Sequence, residues 1–401
     1  MSKLLIEKVE GILLSAPYAT QNNDEVRWHL PSGYRTCGFV RLTLSDGRTG
    51  LGEGYIAVFA PHIFEEIVRF LSSHVLGRSI EDRKKIIDDL NVLTGYWSRQ
   101  GAARHVLSAF DIALFDLAAQ VAEKPLYLFL NPRADGELDL YASGGDSPNP
   151  FFMSKELDEV EKHGIKTFKI RARNDDTAKT LWTMEEASNR GIRIAIDMTQ
   201  NLVVPSQSIG EILTFRQSLS ESPAFLEEPL GPDRILEYPF LRKWYDGLVA
   251  GGEIITHPDE MVRAIENGSY DIAQPDATVI GGISALKMIF GSTADKELKT
   301  SIYVHCWGGP VGMAANYHAA AAWGGQIAEW PLPSFPLRDQ MPVQPWCINK
   351  GRLILSQCPG LGISLDHDVL NRFPFREEAV YSCLPNKKTL SMDEKEQIWS
   401  R

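Results

Sequence analysis

Apolar and polar positions alternate through residues 37–45, the period of a strand with one buried face. Asp46-Gly47 then marks a hairpin turn, and a second strand follows through Gly50-Leu51-Gly52-Glu53-Gly54. That glycine-rich stretch follows a hairpin and lacks the third glycine of a dinucleotide-binding turn, so a nucleotide loop is excluded. The period lengthens to that of a helix from Ile63 to Leu71 and again from Arg104 to Ala122. In the second, Val106, Leu107, Phe110, Leu114, Leu117 and Val121 form a broad apolar stripe. Asp111 and Asp116 lie in that helix and are expected to serve structure. The first third therefore reads as a mixed α+β unit.

From about residue 138 the pattern changes to short β-rich runs separated by amphipathic stretches such as Lys155–His163 and Ala178–Asn189. The runs are Leu138–Ser143, Thr167–Arg171, Ile192–Met198, Ala224–Glu228, Leu248–Ile254, Asp271–Gln274, Ile302–His305 and Gln326–Trp330. Eight runs alternating with helices predict an α/β barrel, closed by right-handed crossovers. The tail from about residue 350 is rich in Pro and Gly, has no barrel period, and is expected to return to the N-terminal unit.

Length allows two units, since 401 residues exceed one ordinary core. Acidic residues outnumber basic ones 52 to 41, a net charge of −11 with pI ≈ 5.4. That field disfavours nucleic acid and anionic membrane surfaces, yet leaves room for a small anion in a locally positive pocket. No apolar stretch is long enough to span a bilayer. The opening Met-Ser-Lys-Leu-Leu-Ile-Glu-Lys-Val-Glu puts charges where a secretory leader needs its apolar core. Five cysteines, Cys37, Cys306, Cys347, Cys358 and Cys383, include no CxxC pair. Reduced thiols in a cytoplasmic protein are the expectation.

The chemistry lies where the runs end. Lys169, Asp197, Glu227, Glu253, Asp276, His305 and Glu329 each close, or nearly close, a predicted strand, at spacings of 28, 30, 26, 23, 29 and 24 residues. Each spacing is about one βα unit, so a barrel would gather all seven at one mouth. Asp197, Glu227 and Glu253 are consecutive members; three converging anions call for a cation, and an all-oxygen set selects Mg²⁺. Of the Glu227-Glu228 pair, position in the series favours Glu227 as the ligand. Lys169 and Arg171 face the same side of one strand, where they would balance the carboxylates and hold an anionic substrate. Asp276 and His305 fall on adjacent strands, which lets the carboxylate orient the imidazole as a general base. Glu329 closes the ring, where a protonated carboxyl would act as a hydrogen-bond donor.

The ordered set Lys-x-Arg, Asp, Glu-Glu-Pro, Gly-Glu, Pro-Asp, His, Glu resembles the mandelate racemase subgroup of the enolase superfamily. The helix Val-Leu-Ser-Ala-Phe-Asp-Ile-Ala-Leu-Phe-Asp-Leu, leading to Lys-Pro-Leu-Tyr, adds to the likeness, which covers nearly the whole chain. The resemblance implies a modified TIM barrel, (β/α)₇β, over residues 131–349. It also implies an α+β capping domain over residues 1–130, completed by residues from about 350 to 401. It further implies one Mg²⁺ per subunit on Asp197, Glu227 and Glu253, and abstraction of a proton α to a carboxylate. The His305–Asp276 pair becomes the base on one face, and Glu329 the hydrogen-bond partner of the forming enediolate. A small anionic hydroxy acid is the expected substrate, and a homo-oligomer the expected assembly.

Two departures narrow the expectation. The family's racemases carry Lys-x-Lys, with the second lysine as base on the opposite face; Arg171 stands there instead, and a guanidinium holds charge without taking a proton. The family often follows its first ligand with Asp-x-Asn, whereas Thr199 occupies the third position. Chemistry from one face is therefore expected: β-elimination of water from an aldonate or aldarate. The alternatives are a cycloisomerase opening a lactone or anhydro ring, and a racemase or epimerase. Outside this class stand a catalytically silent barrel that binds ligand and a glycosidase using two of the carboxylates without metal. Substrate choice would fall to loops of the cap; Ala16–Tyr34, with Tyr18, Arg27, Trp28 and His29, and the segment after Glu53, with Tyr55 and Phe59, are candidates, but such side chains more often serve surface or packing and are assigned no role.

Overall fold

The computed structural model describes residues 3–18, 33–295, 298–325, 327–382 and 391–400. Arg27, Trp28, His29, Gln326 and Cys383 lie outside the described residues. The chain begins with three antiparallel strands, β1 (Ile6–Pro17), β2 (Tyr34–Leu44) and β3 (Thr49–Glu53), in the order β1-β2-β3. Helices Pro61–Ser72, Arg83–Ser98 and Ala102–Val121 follow. The first and third contain the two helical periods read from the sequence.

Helix Ala102–Val121 is buried on nearly every side, which its broad apolar stripe foreshadows. On one side it meets β3 so closely that a Cβ on Gly52 would lie 1.7 Å from the Ala109 carbonyl, and one on Gly50 2.6 Å from that of Ala113. The glycines of the Gly-Leu-Gly-Glu-Gly stretch thus serve backbone packing. On the other side Asp111 accepts from Ser284 Oγ at 2.6 Å and Ser284 N at 3.0 Å, tying the helix to the barrel. Asp116 accepts from Leu51 N at 2.9 Å and Leu361 N at 2.8 Å, joining β3 to the C-terminal segment. Both carboxyls hold polar backbone that would otherwise be buried without partners.

The barrel strands are β4 (Glu137–Gly144), β5 (Thr167–Arg171), β6 (Arg193–Asp197), β7 (Leu226–Glu227), β8 (Val249–Gly251), β9 (Ile272–Ala273), β10 (Ser301–Ile302) and β11 (Ile327–Pro331). Each of the eight runs overlaps one of them. All pair in parallel from β4 to β10, a Val304–Ala328 bridge continues to β11, and β11 closes the ring on β4. Helices fill the seven intervals between these strands, so the fold is a modified TIM barrel, (β/α)₇β. A hairpin, β12 (Cys347–Asn349) and β13 (Arg352–Ile354), lies antiparallel to β4 at the outside of the ring. Its segment has no barrel period, and the sequence gives no sign of this attachment. Farther on, Ser15 N bonds Phe373 O and Tyr381 N bonds Val58 O, so residues 373–381 lie on the cap, whereas the final helix, Met392–Trp399, returns to the barrel, where Lys395 meets Asp175 and Asp176 and Trp399 packs on Trp182. Among the described residues no helix is long and apolar enough to cross a membrane. Cys37, Cys306, Cys347 and Cys358 are free thiols.

Candidate active site

Strand register aligns the ring residues. Arg171 pairs with Asp197 across β5 and β6, and Asp197 with Glu227 across β6 and β7. Glu253, Asp276 and His305 lie just past β8, β9 and β10, and Glu329 sits on β11. The barrel brings all eight candidates to one mouth. Glu228 is as buried as Glu227; its carboxylate turns the other way and accepts from Gly252 N at 2.7 Å.

Lys169 is buried with its ammonium on Glu227 and 2.8 Å from Glu329 Oε1. Arg171 meets Asp146 at 2.9 Å and Asp197 at 3.6 Å, with its guanidinium carbon 4.3 Å from the centre of the Trp307 ring. Glu227 also accepts from Gln274 Nε2. Glu253 accepts from Asn201 Nδ2 at 2.9 Å, and its other oxygen lies 3.2 Å from His305 Nε2. His305 Nδ1 is 2.9 Å from Asp276 Oδ2. Asp276 Oδ1 takes three donors, Thr278 N at 2.8 Å, Thr278 Oγ1 at 2.8 Å and Asn316 Nδ2 at 2.9 Å. With one oxygen so occupied, the other is left to the imidazole.

Burial raises Asp197 to about 6 and Glu227 to about 8, although Lys169 opposes both shifts. His305 shows the reverse balance. Desolvation would lower it, but Glu253, Glu329 and Asp276 raise it to about 10. Glu329 departs from the protonated form considered above. Burial favours that form, yet Lys169, His305 and the Cys306 N–H, which donates at 2.8 Å, together lower it to about 2. An ionised carboxylate accepts and cannot donate.

The site thus holds more buried carboxylate than its cations comfortably neutralise. Among the described residues no group of three or more His, Cys, Asp or Glu is arranged as a ready metal cage. The ring carboxylates are turned instead onto Lys169, Arg171, Asn201, Gln274 and His305. Two features still suit a hard divalent ion: three all-oxygen donors at consecutive strand ends, and the buried Asn201 Oδ1, which has no donor, beside Glu253.

Above the ring lies a cavity of about 350 Å³. Asp197, Glu253, Arg171 and His305 line it from the barrel, and Arg35, Tyr55, Phe59 and His105 from the cap. Among the described residues, Tyr55 and Phe59 are the cap candidates named from sequence that line it. Tyr18 is buried and packs on Phe335, 5.6 Å between ring centroids. Arg35, His105, Asp146, Asn201, Trp307 and Asn316 have no strand-end signature, and Gln274 ends its run without an ionisable group; sequence reasoning missed all of them.

Residues 153–369, more than half the chain, match the family model described as enolase C-terminal domain-like. A D-gluconate/D-galactonate dehydratase from Picrophilus torridus is 27% identical over 355 residues, covering 83% of this chain and 87% of that protein. Other relatives at 24–25% identity include further sugar-acid dehydratases and cycloisomerases. The solved 3,6-anhydro-D-galactonate cycloisomerase from Zobellia galactanivorans superposes with TM-score 0.81 at 22% identity, covering 94% of this chain and 100% of that one. A racemase from Streptomyces coelicolor with bound magnesium superposes with TM-score 0.76 at 22% identity, covering 92% and 99%.

Proposed function

The chain belongs to the enolase C-terminal domain-like family, and we propose that it removes the proton α to the carboxylate of an acid sugar and expels the β-hydroxyl as water. The observation that carries this reading is His305, held at Nδ1 by Asp276 with Nε2 turned toward the ring of carboxylates. Asp276 fixes the tautomer in which Nδ1 bears hydrogen; a cation held by Glu253 would offset negative charge that raises the ring, and the ring once neutral offers the Nε2 lone pair to the α-proton. As the C–H bond breaks, its electron pair moves into the carboxylate to give an enediolate. Lys169 places a buried ammonium near that developing charge. The pair then returns to form the C=C bond while the β C–O bond breaks. His305 gives its proton to the departing hydroxyl, and the enol so formed rearranges to a 2-keto-3-deoxy acid. Asp197, Glu227 and Glu253 would hold Mg²⁺, which when bound supplies charge stabilisation for the substrate carboxylate. Arg171, committed to Asp146 and Asp197, holds charge and takes no proton.

The test is a panel of aldonates, aldarates and their lactones incubated with Mg²⁺ in D₂O. The expected product has lost one water, with α-deuteration of recovered substrate that stops when chelator is added. An isomer of unchanged mass would instead assign ring opening. Exchange that persists in excess chelator, or no exchange with any member, would refute the proposal.

A further inference from the structure

Arg35 stands apart from the other cations of the cavity. It comes from β2 of the cap, is 3% exposed and lines the cavity. Lys169 and Arg171 each meet two carboxylates. The guanidinium of Arg35 meets none within ion-pair distance among the described residues. Its strongest electrostatic neighbours are the phenols of Tyr18 and Tyr55 and the thiol of Cys37. Glu53 is near enough to feel it, but that carboxylate is bound by the N–H groups of Gly309 and Gly312. Nη2 of Arg35 donates to the Trp307 carbonyl and the guanidinium also bonds the phenols of Tyr18 and Tyr55, while Nε has no acceptor. A guanidinium carries five N–H donors in a planar fork suited to a carboxylate. Burying such a group with its Nε donor unused and no counter-anion is unfavourable unless something arrives to fill it.

Position says which part of a ligand that would be. The ring of Tyr55 lies near both groups, 6.2 Å from the His305 ring and 5.4 Å from the Arg35 guanidinium carbon. The carboxylate that reacts belongs at the barrel end, beside His305. Arg35 faces the other end of a short chain, one aromatic ring away. We infer that Arg35 is a receptor for a second, distal carboxylate, and hence that the substrate is a diacid, an open-chain aldarate, rather than an aldonate. The inference rests on the acid-sugar reading above and sharpens it. A purely structural clamp is the competing role, because the bond to the Trp307 carbonyl also ties cap to barrel.

Kinetics on matched pairs separate the roles. Each five- and six-carbon aldarate is compared with the aldonate of the same configuration, with Mg²⁺, by α-proton exchange and water loss. The wild type is expected to favour the diacid member by roughly 10- to 100-fold in kcat/KM, the range of charge-assisted hydrogen bonds to a carboxylate. Arg35→Gln is expected to erase that ratio, chiefly through KM, because a distal contact is made equally in ground and transition states. Arg35→Lys, which keeps a charge and a donor for the Trp307 carbonyl, should fold like wild type in a thermal melt and retain part of the ratio. An aldonate used as well as its aldarate would overturn the inference and leave the acid-sugar reading standing. So would equal loss on both substrates in Arg35→Gln and Arg35→Lys, which would assign the clamp alone. Absence of exchange with every diacid and monoacid would overturn the acid-sugar reading, and this inference with it.

Discussion

Replacing Asp276 with Asn tests the orientation of His305 through a single atom. In the native site three donors converge on Asp276 Oδ1, and His305 Nδ1 faces Oδ2. The asparagine must choose which position keeps its oxygen. Leaving oxygen under the three donors satisfies them all, whereas flipping the amide sets N–H groups against Thr278 N, Thr278 Oγ1 and Asn316 Nδ2. The Thr278 hydroxyl can turn to accept, but at about 1–3 kcal/mol for each of the two fixed N–H donors left unpaired, the flip costs at least ~2 kcal/mol. The amide NH₂ therefore faces His305 Nδ1, which must become an acceptor, and the ring hydrogen moves to Nε2. Nε2 then donates toward Glu253, 3.2 Å away, and can no longer take the α-proton. Loss of a positioned general base costs roughly 10²- to 10⁴-fold in kcat, or about 3–5 kcal/mol of barrier. KM should change little, because Asp276 is buried behind the imidazole and does not line the cavity. The assay is steady-state turnover with α-proton exchange in D₂O, beside nitrogen NMR of the His305 tautomer. A variant with its ring hydrogen on Nε2 and kcat within tenfold of wild type would show that His305 is not the base.

Three further outcomes are expected. Glu253→Gln should abolish turnover and weaken Mg²⁺ binding by calorimetry while the far-ultraviolet spectrum stays native; full activity in chelator would remove the metal from the account. Arg171→Lys should keep Mg²⁺ binding, and wild type should place deuterium at the α-carbon with retention only; inversion at a matching rate, on a substrate blocked at the β-position, would reveal a second base. Asp111 is raised to about 6, chiefly by burial against the opposing Ser284 bonds, and its unfolded value is about 4. Its stabilising contribution is therefore full below pH about 4 and lost as pH rises through 6, so Asp111→Asn should be the more favourable by ~2–3 kcal/mol at pH 7 than at pH 4, relative to wild type, in urea unfolding. Equal pH profiles for the two proteins would contradict the assigned pKa.

The residues legible from sequence share one property. Asp197, Glu227, Glu253, Asp276 and His305 sit at or just beyond the ends of short apolar runs, with Lys169 and Glu329 within two residues of theirs, and barrel topology alone brings such positions together. The residues that escaped depend on contacts between distant stretches. Arg35 reaches the Trp307 carbonyl across 272 positions of chain, and Asn316 reaches Asp276 from the helix after the next strand. The cap shows the same limit. Its hairpin turn and its longest helix have periods that can be read, whereas the docking of Gly50 and Gly52 against that helix is a matter of shape.

Thr199 shows how a local departure from pattern can be resolved in three dimensions. Where the family often carries Asn two places after its first acidic ligand, this chain has a β-branched residue with φ 47, in the left-handed region that such residues rarely enter. That turn lets the Thr199 N–H fold back onto Asp197 Oδ1 at 2.7 Å, fixing the carboxylate by backbone. It also starts a short 3₁₀ turn, Gln200–Leu202, that carries an amide side chain into the cavity two residues later. Asn201 there donates to Glu253 and keeps a buried carbonyl oxygen with no donor. The chain thus supplies an amide at the mouth from a different position, at the cost of local backbone strain. A position-by-position comparison records Thr199 as a loss, whereas the folded chain makes Asn201 the residue to examine.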